Sequence, residues 1–401
     1  MKADPYAAVR SGRGYAAAGG IFFLALFFNN APTPLYPVWQ SEYLLGTAAT
    51  TTIHSAYPLG TIVGLLFGGK LADQLGRRVI LFTAAIVGLL GAAVLLAFHT
   101  FLPLLLARLL NGITTGLFSG ALTAVMVELE PKGDHARASW AAALMTTVSA
   151  AIGTFVATVI VSLAPNVQVA LTLPFVIQAS LYAIAIVIIL WLPETLPGPW
   201  RKSLRQTDFL PRSVAVPPSI RREFCLAAFA AFTVWALTGL WLGLGPTLAV
   251  AVLGEGNLFH GGAAASLMLA SAGMIQLATP KLADRISIRL GMWVTLLALA
   301  TIAAFILSGS VLVLYLSTVL AGVGQGLAWL GAARLVNRIA ISEQRAETMS
   351  ALFVIVYSGV TFIFFVGLAA SLVGLQAGVL LLLAFLATLS ALTLVAAGKE
   401  R

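Results

Sequence analysis

The chain has 401 residues, is 60% hydrophobic and only 9% charged, and carries a formal net charge of +9. A soluble protein carries about 25% charged residues, so a soluble globular fold is excluded and a polytopic membrane protein is expected. The single cysteine, Cys225, excludes an internal disulfide and a cysteine-cluster metal site.

Twelve apolar runs are each long enough to cross a bilayer as a helix. They lie at about 16–39, 50–72, 78–98, 102–127, 138–162, 171–192, 223–251, 262–283, 290–309, 311–334, 348–370 and 373–397. The first is too long for a cleavable signal peptide and has charged residues before it. With the amino terminus inside, 22 of the 23 Lys and Arg residues fall on the inner side, Arg108 being the exception. That bias predicts cytoplasmic termini. It also accounts for the net charge without a nucleic-acid partner. Short loops and compact length suggest a bacterial inner membrane.

Span 1 carries Phe22, Phe23, Phe27 and Phe28, then Asn29-Asn30-Ala-Pro-Thr-Pro-Leu-Tyr-Pro. Pro32, Pro34 and Pro37 each remove a backbone donor, so the outer half must bend or loosen. Freed carbonyls are tolerated at membrane depth only against protein or a wet cavity. Phe23, Phe27, Asn30 and Pro34 share one helical face. The face reads either as packing or as a cavity wall with Asn29 and Asn30 as neutral polar groups. Span 2 opens with His54, Tyr57 and Thr61 on one face; a lone His near a helix start is more often interfacial than a proton carrier.

The turn after span 2 reads Gly69-Lys-Leu-Ala-Asp73-Gln-Leu-Gly76-Arg77-Arg78. Gly76 allows the reversal with positive φ, and Lys70, Arg77 and Arg78 mark a basic, water-facing side. Asp73 is the one acid there and needs a partner or water. In span 4, Arg108, Asn111, Thr115 and Ser119 form one polar stripe. An intramembrane Arg costs at least ~2.5–3.5 kcal/mol unless paired or hydrated, so it is expected to face the bundle interior. The competing reading is a structural Arg bonded to carbonyls of span 1.

The turn pattern resembles the signature after the second helix of the major facilitator superfamily of transporters. Arg108-Leu-Leu-Asn-Gly112-x-x-x-Gly116 resembles its fourth-helix motif, and Leu-Pro193-Glu194-Thr195 a common ending of its sixth helix. The resemblance implies an all-α integral membrane fold of twelve transmembrane helices in two pseudo-symmetric six-helix bundles. It implies that Arg108 serves substrate binding or proton coupling. It also implies that Glu128 pairs with Arg77, and that Asp73 caps the start of span 11 near Thr348 to Ser350. Such contacts would clamp the inner face when the cavity opens outward. Family members that export drugs by proton antiport often carry a Gly-Pro pair in span 5; Ser149-Ala-Ala-Ile-Gly153-Thr154 has no proline.

Residues 194–222, rich in Lys, Arg and Pro, read as a linker with a short surface helix. It divides an amino-terminal bundle at 1–193 from a carboxy-terminal one at 223–401. Pro280-Lys-Leu-Ala-Asp284-Arg-Ile-Ser287-Ile-Arg289 repeats the first turn 211 residues later, and Gly322-x-x-x-Gly326 repeats Gly112-x-x-x-Gly116 at an offset of 210. Two such offsets indicate duplicated halves. In the second copy Arg108 aligns with Thr318 and Glu128 with Arg338, so polar function is expected to concentrate in the first half. Span 7 offers Trp235, Thr238 and Trp241 as a facing cavity wall, with Trp241 equally suited to lipid. Gln276, Gln325, Tyr357 and Thr361 are expected near mid-depth, and Gln178 nearer the outer end. A copper site from His260, Met268 and Met274 is poorly supported by its spacing, so no cofactor or metal is expected.

Every Asp and Glu maps to a loop, tail or helix end. Three options follow. The substrate is anionic or zwitterionic with Arg108 as counter-charge; or protons couple through Asp73 or Glu128; or transport is uncoupled. Scattered His residues make a membrane enzyme improbable, and a non-transporting receptor is the remaining alternative class. The expectation is a monomeric secondary transporter, with an efflux-like antiporter as the first form to consider and a facilitator or importer of an organic anion or metabolite as the alternative. Its substrate is an amphipathic or weakly acidic small molecule meeting Arg108, Asn29, Asn30, Phe27, Asn111, Thr115, Trp235, Thr238, Gln276, Gln325 and Tyr357. Gating falls to Gly69, Asp73, Gly76, Arg77, Arg78, Glu128 and Asp284.

Overall fold

The structure is a computed structural model and describes residues 10–198, 201–211, 213–254, 258–341 and 344–398. Helix α1 (Gly12–Phe27) starts at Ser11, whose hydroxyl accepts from the Gly14 amide at 3.3 Å. It ends where the prolines begin. Thr33 N–H donates to Asn30 O, one residue tighter than an α-helix, and Pro32 has no N–H to offer Asn29 O. The chain continues through a 3-10 turn (Thr33–Leu35) into α2 (Tyr36–Glu42), as the proline spacing predicts.

The first half then runs α3 (Thr47–Leu75), α4 (Arg77–Ala97), α5 (Phe101–Leu129), α6 (His135–Leu163) and α7 (Val167–Trp191). The second runs α8 (Arg221–Gly243), α9 (Gly245–Leu253), α10 (Leu258–Ala278), α11 (Asp284–Ser308), α12 (Val311–Ile339), α13 (Arg345–Thr361), α14 (Ile363–Val373) and α15 (Leu375–Gly398). Spans 1, 7 and 11 are each broken in two, at 28–35, Leu244 and Phe362. Pro246 stands just inside α9, where a missing amide costs nothing. The linker forms 3-10 turns at Leu204–Gln206 and Pro218–Ile220 rather than the expected surface helix.

Ten helical runs among the described residues are long and apolar enough to cross a membrane. The broken first span and α3 complete the twelve. Helix α3 has the length, 29 residues, but lacks the apolarity, because Thr50, Thr51, His54, Ser55 and Thr61 are buried in protein. Core clusters segregate by half. Phe22, Leu81, Phe118 and Tyr182 centre one in the first half, and Trp241, Leu248, Phe305 and Leu382 one in the second.

The glycine repeats hold equivalent helix pairs together. A Cβ on Gly112 would stand 2.0 Å from Tyr57 O, and one on Gly116 2.5 Å from Thr61 O, joining α5 to α3. Gly322 and Gly326 put α12 equally close to Met268 O and Ala272 O of α10. Replacing Gly112 with leucine should therefore cost more than the ~1–3 kcal/mol of ordinary overpacking. The expected readout is loss of the monodisperse, cooperatively melting protein in detergent; a melt within a few degrees of the parent would count against this packing.

The two halves meet at the end away from the termini. Ser55 Oγ donates to Thr361 O at 3.2 Å. A Cβ on Gly367 would collide with Thr51, one on Gly262 with Thr158, and one on Gly243 would lie 3.0 Å from the His54 ring. Phe155 and Phe259 pack edge to face across the same seam, with centroids 6.3 Å apart. At the terminal end, α1, α5 and α6 leave a groove of about 490 Å³ lined by Tyr15, Gly19, Phe23, Met126 and Met145.

Candidate functional site

The polar groups of the first half converge where span 1 is broken. Asn29 O, left without an amide, accepts from Arg108 Nη1 at 2.9 Å. Phe28 O, which takes the Ala31 amide at 3.0 Å, accepts in addition from Gln178 Nε2 at 3.2 Å. Asn29 Nδ2 donates to Thr115 Oγ1 at 2.8 Å, and Tyr182 OH to Asn29 Oδ1 at 3.4 Å. The proline break thus frees the Asn29 carbonyl that the intramembrane Arg satisfies.

Arg108 is 1% exposed, with its guanidinium carbon 4.5 Å from the Tyr57 ring centroid. Its Nε has no partner, and no carboxylate pairs with it among the described residues. A desolvated cation–π contact contributes about 2 kcal/mol and one charged hydrogen bond ~1.5–3 kcal/mol. Burying a cation costs several kcal/mol even after relaxation. The guanidinium is therefore held and oriented, and its charge is under-compensated.

The remaining expected residues divide. Asn30 is buried in the broken segment, and Phe27 lies between Phe23 and Phe28. Asn111 turns to α4, where a Cβ on Gly91 would meet its Oδ1 at 2.6 Å, and both its amide atoms lack partners. In the second half Trp235 packs on Trp329 at 5.7 Å and on Tyr357 at 6.3 Å, and Trp329 on Phe353 at 5.9 Å. Trp235 Nε1 and Gln325 Oε1 are buried without partners. Thr238 bonds its own helix at Val234 O. Trp329 and Phe353 escaped the sequence reading; an apolar run does not say which aromatic faces inward.

Three expectations are corrected. Gln276 sits two residues before the end of α10, not near mid-depth, because that helix stops at Ala278. Trp241, read as either a cavity wall or a lipid-facing residue, is fully buried in the second-half core. His54 is 1% exposed, not interfacial: Nδ1 lies 3.3 Å from Tyr36 OH, and Nε2 has no partner.

At the terminal end the charged turn closes on itself. Gly76 has φ 113°, and a Cβ there would strike Glu194. Glu194 uses both carboxylate oxygens to cap α4, accepting from the Arg77 amide at 2.9 Å and the Arg78 amide at 3.2 Å. Arg77 Nη2 reaches Glu128 at 2.9 Å, and its Nη1 pairs with Asp73. Glu128 also accepts from Thr195, and Arg78 donates to Leu190 O. Gly69 lets α3 approach Gly120 of α5, its N lying 3.1 Å from where a Cβ on Gly120 would stand. Glu194 and Thr195 were legible only as a weak motif ending.

Asp73, expected at the start of span 11, is half-exposed beside Arg77, while the first turn of α13 places Glu347 on Ser213 of the linker. The second copy of the turn has an ion pair of its own, Asp284, the counterpart of Asp73, meeting Arg338, the counterpart of Glu128, at 3.0 Å. The polar clamp is therefore less one-sided than the alignment predicts.

The linker docks on the same turn. Asp208 exchanges backbone hydrogen bonds with the Gln74 side chain, and Lys70 Nζ lies 2.7 Å from its carboxylate. The Lys70 hydrogen bond holds the Asp208 carboxyl below its ordinary value. A depressed carboxyl contributes stability above its unfolded pKa and loses it as pH falls through the folded one. Limited proteolysis within 201–211 should accelerate on acidification through that window, and Asp208→Asn should cleave at the faster rate at every pH.

The sequence profile described as Major Facilitator Superfamily matches residues 18–365. Quinolone resistance protein NorA of Staphylococcus aureus is 25% identical over 104 residues, 26% of this chain and 27% of that protein. The chain thus spans about a quarter of the length of the curated relatives it matches. Among solved structures, nucleoside transporter NupG aligns with a TM-score of 0.75 at 13% identity over 96% of this chain and all of that one. A bacterial homologue of the human lysosomal transporter Spinster, solved in an inward-facing and unoccupied conformation, aligns at 0.74 with 16% identity over 98% of each.

Proposed function

Because the chain belongs to the Major Facilitator Superfamily of transporters, we propose that it moves an amphipathic, weakly acidic small molecule across the membrane by alternating access. The two bundles, 1–193 and 223–401, rock about the linker 194–222, with both termini cytoplasmic. The observation that carries the reading is Arg108, a buried guanidinium held by a carbonyl and an aromatic face with no carboxylate beside it. A substrate anion supplies the missing charge. Asn29, Asn30, Phe27 and Thr115 shape that side, with Trp235, Thr238, Gln325 and Tyr357 opposite, while Asn111, turned to α4, drops out of the substrate set. The tryptophan and tyrosine rings offer apolar contact to the rest of the molecule. Export is the direction favoured by the local likeness to NorA.

A second reading has its own support. The span 5 segment Ser149-Ala-Ala-Ile-Gly153-Thr154 lacks the proline of drug antiporters, which favours facilitation down the substrate's own gradient.

The test is a ligand-stabilisation screen on purified protein, followed by flux in proteoliposomes, with Arg108→Ala in parallel. Organic anions should raise the melting temperature of the parent and not of the variant, and flux should fall at least tenfold. Equal stabilisation of both proteins would reject the counter-charge role. Absence of any flux for every stabilising compound would favour a receptor.

A further inference from the structure

His54 is a buried, half-satisfied imidazole in the seam where the two halves meet. Its Nδ1 is 3.3 Å from Tyr36 OH, and the two rings meet edge to face with centroids 5.8 Å apart. Its other face packs where Gly243 has no side chain. Nε2 is enclosed and unpartnered. In the tautomer that leaves Nε2 bare, Nδ1–H donates to Tyr36 and Nε2 is the atom that can take a proton.

The groups around it are of one sign or neutral. Helix α5 brings the Arg108 charge to bear on it. Helix α2 contributes Tyr36, with Glu42 exposed at its far end. Helix α3 itself contributes Tyr57, and α13 contributes Tyr357, which lies near Tyr57. Helices α9 and α14 carry no charged residue, and the charges of α8 lie at its opposite end. An imidazolium in this sealed seam would thus stand beside a guanidinium with no carboxylate near either. Two under-compensated cations in a dry site repel strongly.

We infer that His54 is a proton site whose occupancy is linked to anion binding at Arg108: substrate anion and proton enter the closed chamber together. The anion cancels one positive charge and admits the other. By linkage the proton tightens anion binding by the factor that the anion tightens proton binding. This rests on the anionic-substrate reading and not on the export direction, since a proton carried with the anion drives uptake wherever the proton gradient points inward; it adds a coupling ion, a site and a sign.

The experiment uses full-length protein in detergent and two probes whose charge is fixed across the range, benzenesulfonate and 1-naphthalenesulfonate. Their dissociation constants are measured between pH 5 and pH 9. In the parent, Kd should rise about tenfold per pH unit over the interval where the ring titrates, then level off. In His54→Gln, which keeps a polar group of similar reach, Kd should be independent of pH and equal to the weak, high-pH value of the parent. A structural role for His54 would shift melting temperature without flattening that profile. Tyr36→Phe keeps the proton site and should retain the slope at a displaced midpoint. A flat parent profile, or an unchanged slope in His54→Gln, overturns the linkage while leaving the anion site standing. No binding of either probe at any pH overturns the anion site, and the linkage with it.

Discussion

Arg77→Ala should destabilise the protein by about 3–5 kcal/mol, the cost of breaking a buried ion pair by removing one partner. Glu128→Ala should cost less. Arg77 and Glu128 have side chains only 8% and 6% exposed, so neither gains much water when orphaned. Their remaining partners differ. When Glu128 is removed, Arg77 keeps the Asp73 carboxylate one turn away. When Arg77 is removed, Glu128 keeps the Thr195 hydroxyl, which cannot balance a charge. Replacing both with methionine should recover most of the loss, because a buried pair exchanged for apolar side chains of similar volume is often neutral or better. Thermal melts of the four proteins in one detergent check the ordering. Equal melting temperatures for the two single variants would mean that the pair is bathed in water and that Asp73 contributes nothing to it.

The same cluster shows what a sequence carries and what it leaves out. Apolar runs of bilayer length fix the spans, because a lipid-facing helix has no other composition available. The proline spacing in 32–37 foretold the break in span 1, because a missing amide is a local fact. Arg108 was legible for the same reason: a cation at that depth must turn inward. The partners of such residues are tertiary facts. Glu194 lies 117 residues from the amide it caps, and nothing in Pro-Glu-Thr states that its oxygens meet the turn at Gly76. Depth was misread for Gln276 because it depends on where α10 stops. Facing was left open for Trp241 and misread for His54, since periodicity tells which residues share a face but not whether that face meets lipid or protein. Glu128 gives way to Arg338 while the acid of Asp73 is kept as Asp284, and that Asp284 and Arg338 meet appears only when α11 and α12 are seen to bring both residues together.

A cross-link across the far seam should stop transport outright. A Cβ built on Gly262 of α10 stands 2.9 Å from the Thr158 Cβ of α6, and a disulfide needs about 3.8 Å between such atoms. The helices therefore part by roughly 1 Å to accept Thr158→Cys with Gly262→Cys, well within the give of two packed helices. The exposed Cys225 is first replaced by serine, which removes the competing thiol. Under reducing conditions the pair should transport at a reduced but measurable rate, since both positions are only repacked. Oxidation ties the bundles together on the side where Ser55 already meets Thr361, so the chamber can open only toward the termini. Flux in proteoliposomes should then fall to the protein-free background and return on adding reductant. Ligand binding from the open side should survive oxidation, because the Arg108 site is not touched. Undiminished flux through a protein shown by mass to be fully cross-linked would mean that this seam never opens, and alternating access between the two bundles would have to be abandoned.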